Sequence, residues 1–355
     1  MKIAVIGGSI AGLEAGIRLG GSCEVTIFEE HEEIGLPLRC AEGWIIHHNL
    51  KPYARGREKR EIERLRFRRL DKDFRVREEV VFETDGKVLA VDRPRMERRM
   101  AEIAARNGAR ILTGRRVKIR DLSGYDLIID ASGHPSQWER EFGGGSIRRE
   151  GMKGERGEEK RWKKARKTRK TRKGGIALEA ITDYECEDIC IDVLPGLDGY
   201  LWVFPKAKGG ANIGVGYYAR KPYGLKDLLK TYLAWLEAEA GAEIKVEGLT
   251  AGLLGVRFNR PFVRYYNSTP VCLIGDAAGL VDPFFGEGMT KAVLSARILA
   301  EKIMEGRIED YEREYLKTMR MHYAFSWLMT GVKLLSPWLL FKILKLAKKL
   351  VIPKK

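Results

Sequence analysis

The opening twenty residues, MKIAVIGGSIAGLEAGIRLG (Met1–Gly20), decide how the rest of the chain is read. Lys2 to Ile6 form an apolar run of strand length and composition. GGSIAG breaks it, and LEAGIRLG continues at helical spacing with small residues turned toward the strand. A second strand, Glu24 to Phe28, ends in Glu29. Strand, glycine turn, helix and strand make the first half of a doubly wound α/β unit. In such a unit a bare backbone lets a pyrophosphate approach a helix N-terminus, and a carboxylate about 20 residues on accepts the ribose hydroxyls. Gly7, Gly12 and Glu29 fit these positions, while Ser9 stands where the middle glycine of the fingerprint is usual. A bound dinucleotide is the expectation.

The next segment, IGLPLRCAEG (Ile34–Gly43), is a loop punctuated by Pro37 directly after the ribose-binding strand, so it can run alongside the cofactor. Cys40 in isolation reads as a small apolar residue, and only its place beside the cofactor singles it out. About 230 residues further on, VCLIGDAAGLVDPFFGEGMTKAVLSARILAEKI (Val271–Ile303) repeats the logic. A short buried strand ends in Gly275 and Asp276, and Gly288 leads into a helix with Ala292, Ser295 and Ala296 on its packing side. Asp276 can accept from ribityl hydroxyls, and Gly286, Gly288 and Met289 can present backbone groups to an isoalloxazine. GDAA followed by PxxGxG points to FAD rather than NAD.

The strand YLWVFP (Tyr200–Pro205) projects Tyr200, Trp202 and Phe204 to one face and Leu201 and Val203 to the other. ANIGVG (Ala211–Gly216) reads as its partner strand, with KAKGG as the hairpin turn. By themselves the aromatics fit an ordinary core strand as well as a pocket wall.

With GGSIAG, Glu29, Arg93 in VDRPRM, the strand YDLIIDASG (Tyr125–Gly133) and GDAAG, the chain resembles the FAD-dependent hydroxylase-type superfamily. Within it, PLRCAEG, GDAAGLVDPFFGEGM and YLWVFP, with eight residues before Gly214 and Gly216, resemble the geranylgeranyl reductase family, whose marks are a PxxC loop and a YxWxFP strand followed by GxG. The resemblance runs from residue 1 to about 300. It implies reduction of geranylgeranyl chains on archaeal-type membrane lipid precursors by hydride transfer from reduced flavin. It places Cys40 near the flavin ring as the candidate catalytic residue, assisting the proton step or controlling access. It implies FAD contacts at Gly7, Ser9, Ala11 and Gly12, at Glu29 and Glu30, and at Arg39, Cys40, Ala41 and Gly43. Arg93, Val117, Asp276, Gly286, Gly288 and Met289 complete that set. Tyr200, Trp202, Phe204, Pro205, Gly214 and Gly216 are implied as the wall of an elongated apolar cavity for a polyprenyl chain. Glu287 departs from the family's commoner glycine and puts a carboxylate beside the flavin position, and DASG (Asp130–Gly133) replaces the commoner ADG.

The fold class expected is α/β: a Rossmann-like FAD-binding domain from residues 1–136 and 250–305, and a β-rich substrate-binding lobe from 175–249 with part of 50–92. A basic insertion occupies 137–174, and 306–355 form a helical C-terminal region. Formal net charge is +16, of which ten charges lie between Arg148 and Lys173. That segment lacks the apolar residues for a core and the aromatic platform of a nucleic-acid binder, so no nucleic-acid partner is expected. It reads as a solvated insertion or as a polybasic contact with anionic lipid headgroups. Five scattered cysteines form no zinc or disulfide pattern, the five histidines form no triad, and the opening apolar run is too short for a secretory signal. The chain is expected in the cytoplasm, peripheral to the inner membrane face.

No second glycine-rich fingerprint follows a strand, which leaves NAD(P)H bound transiently or a small redox carrier as electron donor. Toward the C-terminus, Leu339, Ile343, Leu346 and Leu350 recur at helical spacing beside Lys342, Lys345 and Lys349, as in a helix completing the core or lying at a membrane interface. Two other functions remain open for the same sequence. One is an FAD monooxygenase or halogenase acting on an aromatic substrate. The other is a non-catalytic electron-transfer flavoprotein.

Overall fold

The computed structural model describes residues 1–45, 53–143, 174–218 and 224–351. The chain opens with β1 (Lys2–Ile6), α1 (Ile10–Leu19) and β2 (Glu24–Phe28). Strands β3 (Gly43–Ile45), β4 (Lys59–Glu61), β5 (Arg64–Leu70), β6 (Val76–Glu83) and β7 (Val88–Val91) precede helix α2 (Arg93–Arg106). After β8 (Arg110–Leu112), β9 (Leu127–Asp130) and α3 (Gln137–Phe142) come β10 (Gly175–Thr182), β11 (Ile189–Val193), β12 (Gly199–Pro205) and β13 (Ala211–Tyr217). Helix α4 (Leu225–Ala240), strands β14 (Val246–Leu254), β15 (Val263–Tyr266) and β16 (Thr269–Leu273), and helices α5 (Met289–Met304), α6 (Tyr311–Leu335) and α7 (Pro337–Val351) complete it.

One sheet has the order β15-β16-β9-β1-β2-β8. Its central pairs, β16–β9, β9–β1, β1–β2 and β2–β8, are parallel. Parallel strands covered on both faces must be apolar throughout, and β9 and all of β1 after Lys2 are buried. Helix α1 packs close because Gly16 is bare: a Cβ there would lie 2.6 Å from Ile27 Cδ1. Every loop that leaves the C-terminal end of β1, β2, β9 or β16 opens on the same side, where open α/β sheets bind their ligands.

A second sheet, β14-β10-β13-β12-β11-β5-β6, is antiparallel except for β11–β5. Leu201, Val203, Ile213 and Val215 on one face pack with Leu229, Tyr232 and Leu236 of α4. The YLWVFP strand thus buries its even-numbered and odd-numbered residues in two different places. Strands β3, β7 and β4 form a third, small sheet.

Two expected boundaries move. Residues 137–142 are helix rather than insertion, because Ser136 and Glu139 form a capping box and the buried Asp130 carboxylate accepts the Trp138 N–H at 2.9 Å. From residue 144 to 173 the basic insertion lies outside the described residues. The boundary placed at 249/250 falls inside β14, which pairs with β10 as far as Leu254.

At the C-terminus, α7 turns Leu340, Phe341 and Leu344 into the cluster beneath the second sheet. The anticipated stripe is on another side: Leu339 and Leu346 are exposed and Ile343 is half-buried. Among the described residues no helix is long and apolar enough to cross a membrane.

Candidate functional site

A cavity of about 410 Å³ runs from the C-terminal ends of the parallel strands to the face of the antiparallel sheet that carries Tyr200, Trp202 and Phe204. At the first end, the chain leaves β1 through Gly7 at φ +106°, a left-handed conformation that disfavours side chains, and a Cβ there would lie 2.5 Å from Ala131 O. Ser9 precedes α1 without capping it. Its hydroxyl donates instead to Glu97 Oε1 (2.9 Å) and accepts from Arg93 Nη2 (2.8 Å), while Arg93 Nε holds the same Glu97 oxygen at 2.6 Å. The first turn of α1 is left open toward the cavity, flanked by a guanidinium, as a diphosphate requires.

At the end of β2, Glu29 accepts the Gly8 N–H (2.7 Å) and the His31 N–H (2.9 Å), with the His31 ring Nδ1 at 2.6 Å from its carboxylate. Arg116 lies 3.5 Å from Glu30. Both glutamates line the cavity with Ala11 and Val117, which gives one end the polar character of a ribose and adenine site.

The opposite wall comes from the last glycine loop. Asp282 is buried and accepts from Phe284 N (2.8 Å), Phe285 N (2.7 Å) and Ser326 Oγ (2.8 Å), with His322 Nε2 at 2.6 Å. Burial alone would lift its pKa; the His322 hydrogen bond, Lys291 and the backbone donor Phe285 outweigh that and hold it at about 2. This anion ties the DPFFGEG loop to α6 and so fixes Gly286 and Gly288 beside Asp276. A Cβ on Gly288 would sit 3.1 Å from Asp276 Oδ1. Burial raises Asp276 to about 6, against Arg93 and with Glu287. The Glu287 carboxylate accepts the Thr290 N–H (2.7 Å) and pairs with buried Lys291, which neutralises the charge expected beside a flavin.

Between these walls lies the Cys40 loop. Arg39, Cys40, Ala41 and Gly43 all line the cavity. The loop is held to β14 by Thr250 Oγ1 donating to Leu38 O (3.0 Å). Cys40 Sγ accepts the Glu42 N–H at 3.3 Å. Burial pushes the Cys40 thiol up, Arg93 pulls against it and Glu179 adds to it, so at neutral pH the sulfur is a thiol.

Tyr200, Trp202 and Phe204 face the cavity. The Tyr200 hydroxyl donates to the Phe285 carbonyl, joining the aromatic row to the glycine loop. Trp202 lies over β13, where a Cβ on Gly214 would be 2.2 Å from its Cζ2 and one on Gly216 would be 3.3 Å from its Cζ3. The two glycines after the aromatic strand therefore seat the indole, whose Nε1–H has no partner among the described residues. Phe204 packs on Gly43, where a Cβ would come within 2.8 Å of its ring.

Of the residues singled out from sequence, three do not line the cavity. Gly12 lies behind the turn, where a Cβ would be 2.0 Å from Gly7 O; Gly214 lies under the indole; Pro205 ends β12 paired with Ala211. Sequence reasoning missed Glu97, Glu42 and Glu179. Glu97 follows Arg93 at i+4 spacing, a signal that was present. Glu42 is buried at φ +64°, receives the Arg93 N–H (3.0 Å) and Asn212 Nδ2 (3.3 Å), and has its pKa raised by burial. Glu179 lines the cavity on β10.

A dinucleotide cradle and an aromatic wall sharing one cavity define a class, the oxidoreductases that hold a flavin against a buried organic substrate. Residues 176–252, which span β10 to β13 and most of β14, match the geranylgeranyl reductase catalytic domain. The chain is 28% identical over 343 residues to digeranylgeranylglycerophospholipid reductase 2 of Methanothermobacter thermautotrophicus, covering 86% of this chain and 80% of that one. It is 30% identical to the menaquinone reductase of Mycolicibacterium smegmatis over 142 residues, 36% of this chain and 32% of that one. A geranylgeranyl bacteriochlorophyll reductase-like protein from Thermoplasma acidophilum has a similar structure, with a TM-score of 0.70, 21% identity, and coverage of 97% of this chain and 90% of that one. The myxobacterial chondrochloren halogenase shares the fold at a TM-score of 0.61 and 16% identity, over 91% of this chain and 81% of that one. The chain is thus an FAD-dependent oxidoreductase that resembles the geranylgeranyl reductases over most of its length, its match to their catalytic domain lying in residues 176–252.

Proposed function

We propose that the protein reduces isolated double bonds of geranylgeranyl chains, carried on archaeal-type membrane lipid precursors, with reduced FAD as hydride donor. The observation that carries this reading is the continuity of one cavity from the α1 N-terminus to the row Tyr200, Trp202 and Phe204. When bound, FAD supplies the hydride. Gly7, Ser9 and Arg93 would hold its diphosphate, Glu29 the ribose, and Asp276 with the Gly286–Gly288 backbone the ribityl and ring end. The apolar row orients the chain and excludes water, since an unpolarised alkene reacts only when held at the donor. Electrons enter from transiently bound NAD(P)H or from a small redox carrier.

The lipid is reached at a membrane surface. Supporting this, α6 and α7 expose Phe325, Leu328, Leu335, Trp338 and Leu346, and Lys342 Nζ stands 3.6 Å over the Trp338 ring. A mixed belt of large apolar, Trp and Lys side chains suits the headgroup boundary.

The test is anaerobic. The flavoprotein is chemically reduced, a geranylgeranyl lipid is added, and flavin reoxidation is followed together with substrate mass. Reoxidation with a gain of two hydrogens per double bond is expected. A flavin that stays reduced until oxygen is admitted supports a monooxygenase or halogenase instead.

A further inference from the structure

Hydride addition to an isolated alkene leaves the second carbon in need of a proton, and the register of the antiparallel sheet brings one carboxyl group to the wall where that carbon would lie. Glu179 on β10 stands opposite Gly214 on β13 and Thr250 on β14, and Gly214 stands opposite Trp202 on β12. Directly paired residues share a sheet face. Trp202, bare Gly214, Glu179 and Thr250 thus form one row, in which the indole crosses Gly214 toward the glutamate. Glu179 is 5% exposed, and the surface it keeps lines the cavity shared with Cys40, Trp202 and Gly288. The Cys40 backbone N–H lies near its carboxylate and favours the charged form.

We infer that Glu179 is the proton source of the reduction, delivering its carboxyl proton to the alkene carbon that does not take hydride; the inference rests on the prenyl-reductase reading above. In this step the carboxyl O–H bond breaks and the alkene π pair forms the new C–H bond. The neighbouring carbon takes hydride from the reduced flavin, so the alkene is reduced and the flavin oxidised. The carboxylate then recovers its proton from solvent.

The charged groups around Glu179 agree with this role. Burial first and Glu42 second push its pKa up to about 7, against Arg93, the Cys40 N–H and Lys206. An acid near the working pH is better matched to proton transfer than the Cys40 thiol, which burial has made weaker than an ordinary cysteine.

The experiment compares reduced wild-type holoprotein with Glu179→Gln and Glu179→Asp on addition of the same geranylgeranyl lipid under nitrogen. Glu179→Gln is expected to slow reoxidation by about 10²- to 10⁴-fold with flavin content unchanged, and Glu179→Asp to recover part of the rate. The wild-type rate should fall as pH rises through about 7, and that limb should vanish in Glu179→Gln. Independently of turnover, infrared difference spectra of the oxidised holoprotein should show a protonated carboxyl band that titrates near neutral pH and is missing from Glu179→Gln. A Glu179→Gln rate within threefold of wild type, or spectra that lose no carboxyl band on the substitution, overturn the assignment. A wild-type flavin that stays reduced with lipid present overturns the prenyl-reductase reading, and the inference with it.

Discussion

Lys333 offers a measurement in which two physical effects of known sign compete. Its Nζ is buried with no hydrogen-bond partner among the described residues, and the rings of Tyr200, Tyr218 and Phe284 surround it at 5.6–5.8 Å. Burial lowers its pKa from the ordinary 10.5 to about 8, with Asp198 and Asp282 opposing. Charging it at neutral pH therefore costs roughly 3 kcal/mol of folding stability. The three rings return about 1–2 kcal/mol through cation–π attraction, so the net cost is about 1–2 kcal/mol. Because the folded pKa is depressed, the unfolded chain binds more protons between pH 8 and 10.5, and wild-type stability rises with pH across that window. Lys333→Met keeps the volume and removes the charge. A chain of 355 residues has an unfolding entropy of about 0.7 kcal/mol/K, so the variant should melt about 1–3 °C higher at pH 7. The advantage should disappear toward pH 10.5. Thermal melts by circular dichroism at pH 7, 8, 9 and 10 give the answer. A variant that melts lower than wild type at pH 7 would refute the reasoning, because it would mean that the aromatic cage prefers the cation to a neutral side chain.

Three further outcomes are expected. Gly12→Val places a Cβ 2.0 Å from Gly7 O, so purified protein should carry little flavin, which the visible absorbance reports; full occupancy would sink the phosphate-turn assignment. Gly214→Ala puts a methyl group 2.2 Å from Trp202 Cζ2 and drives the indole into the cavity. Lipid turnover should fall roughly ten- to hundredfold with flavin retained, and unchanged kinetics would return the aromatic strand to an ordinary core role. Asp282→Asn removes a carboxylate held at about 2 against an ordinary 3.8. The wild-type chain should be roughly 2 kcal/mol more stable than the variant at neutral pH by urea titration. That margin is present above pH 4 and should shrink as pH falls toward 2, whereas a margin independent of pH would rule the ion pair out as its source.

The glycine-turn end of the cavity was legible because its requirements are local. Gly7 must accept a left-handed turn, Glu29 must end the second strand, and Gly275 with Asp276 must end another; each rule operates within a few residues of sequence. The wall that carries Glu179 was not legible. In GIALEAIT, Glu179 reads as the polar position of an ordinary half-exposed strand, and its burial depends on pairing with Gly214 and Thr250, 35 and 71 residues away. The C-terminal stripe was misread for a related reason. Helix α7 has apolar residues on more than one side, and only packing against the second sheet selects Leu340, Phe341 and Leu344 over Leu339 and Leu346 as the buried set.

The hydrogen bond from Tyr200 to the Phe285 carbonyl carries a mechanical consequence. It fastens the first rung of the aromatic wall to the DPFFGEG loop, so displacing either moves both, and on the proposed function the spacing between donor and alkene is set by one strut. The far rung, Phe204 against Gly43, has no such tether to the glycine loop. Substitutions that retune the length of chain accepted should therefore be tolerated at Phe204 and Gly43, while Tyr200 stays locked to the reacting end as the zero mark of a molecular ruler.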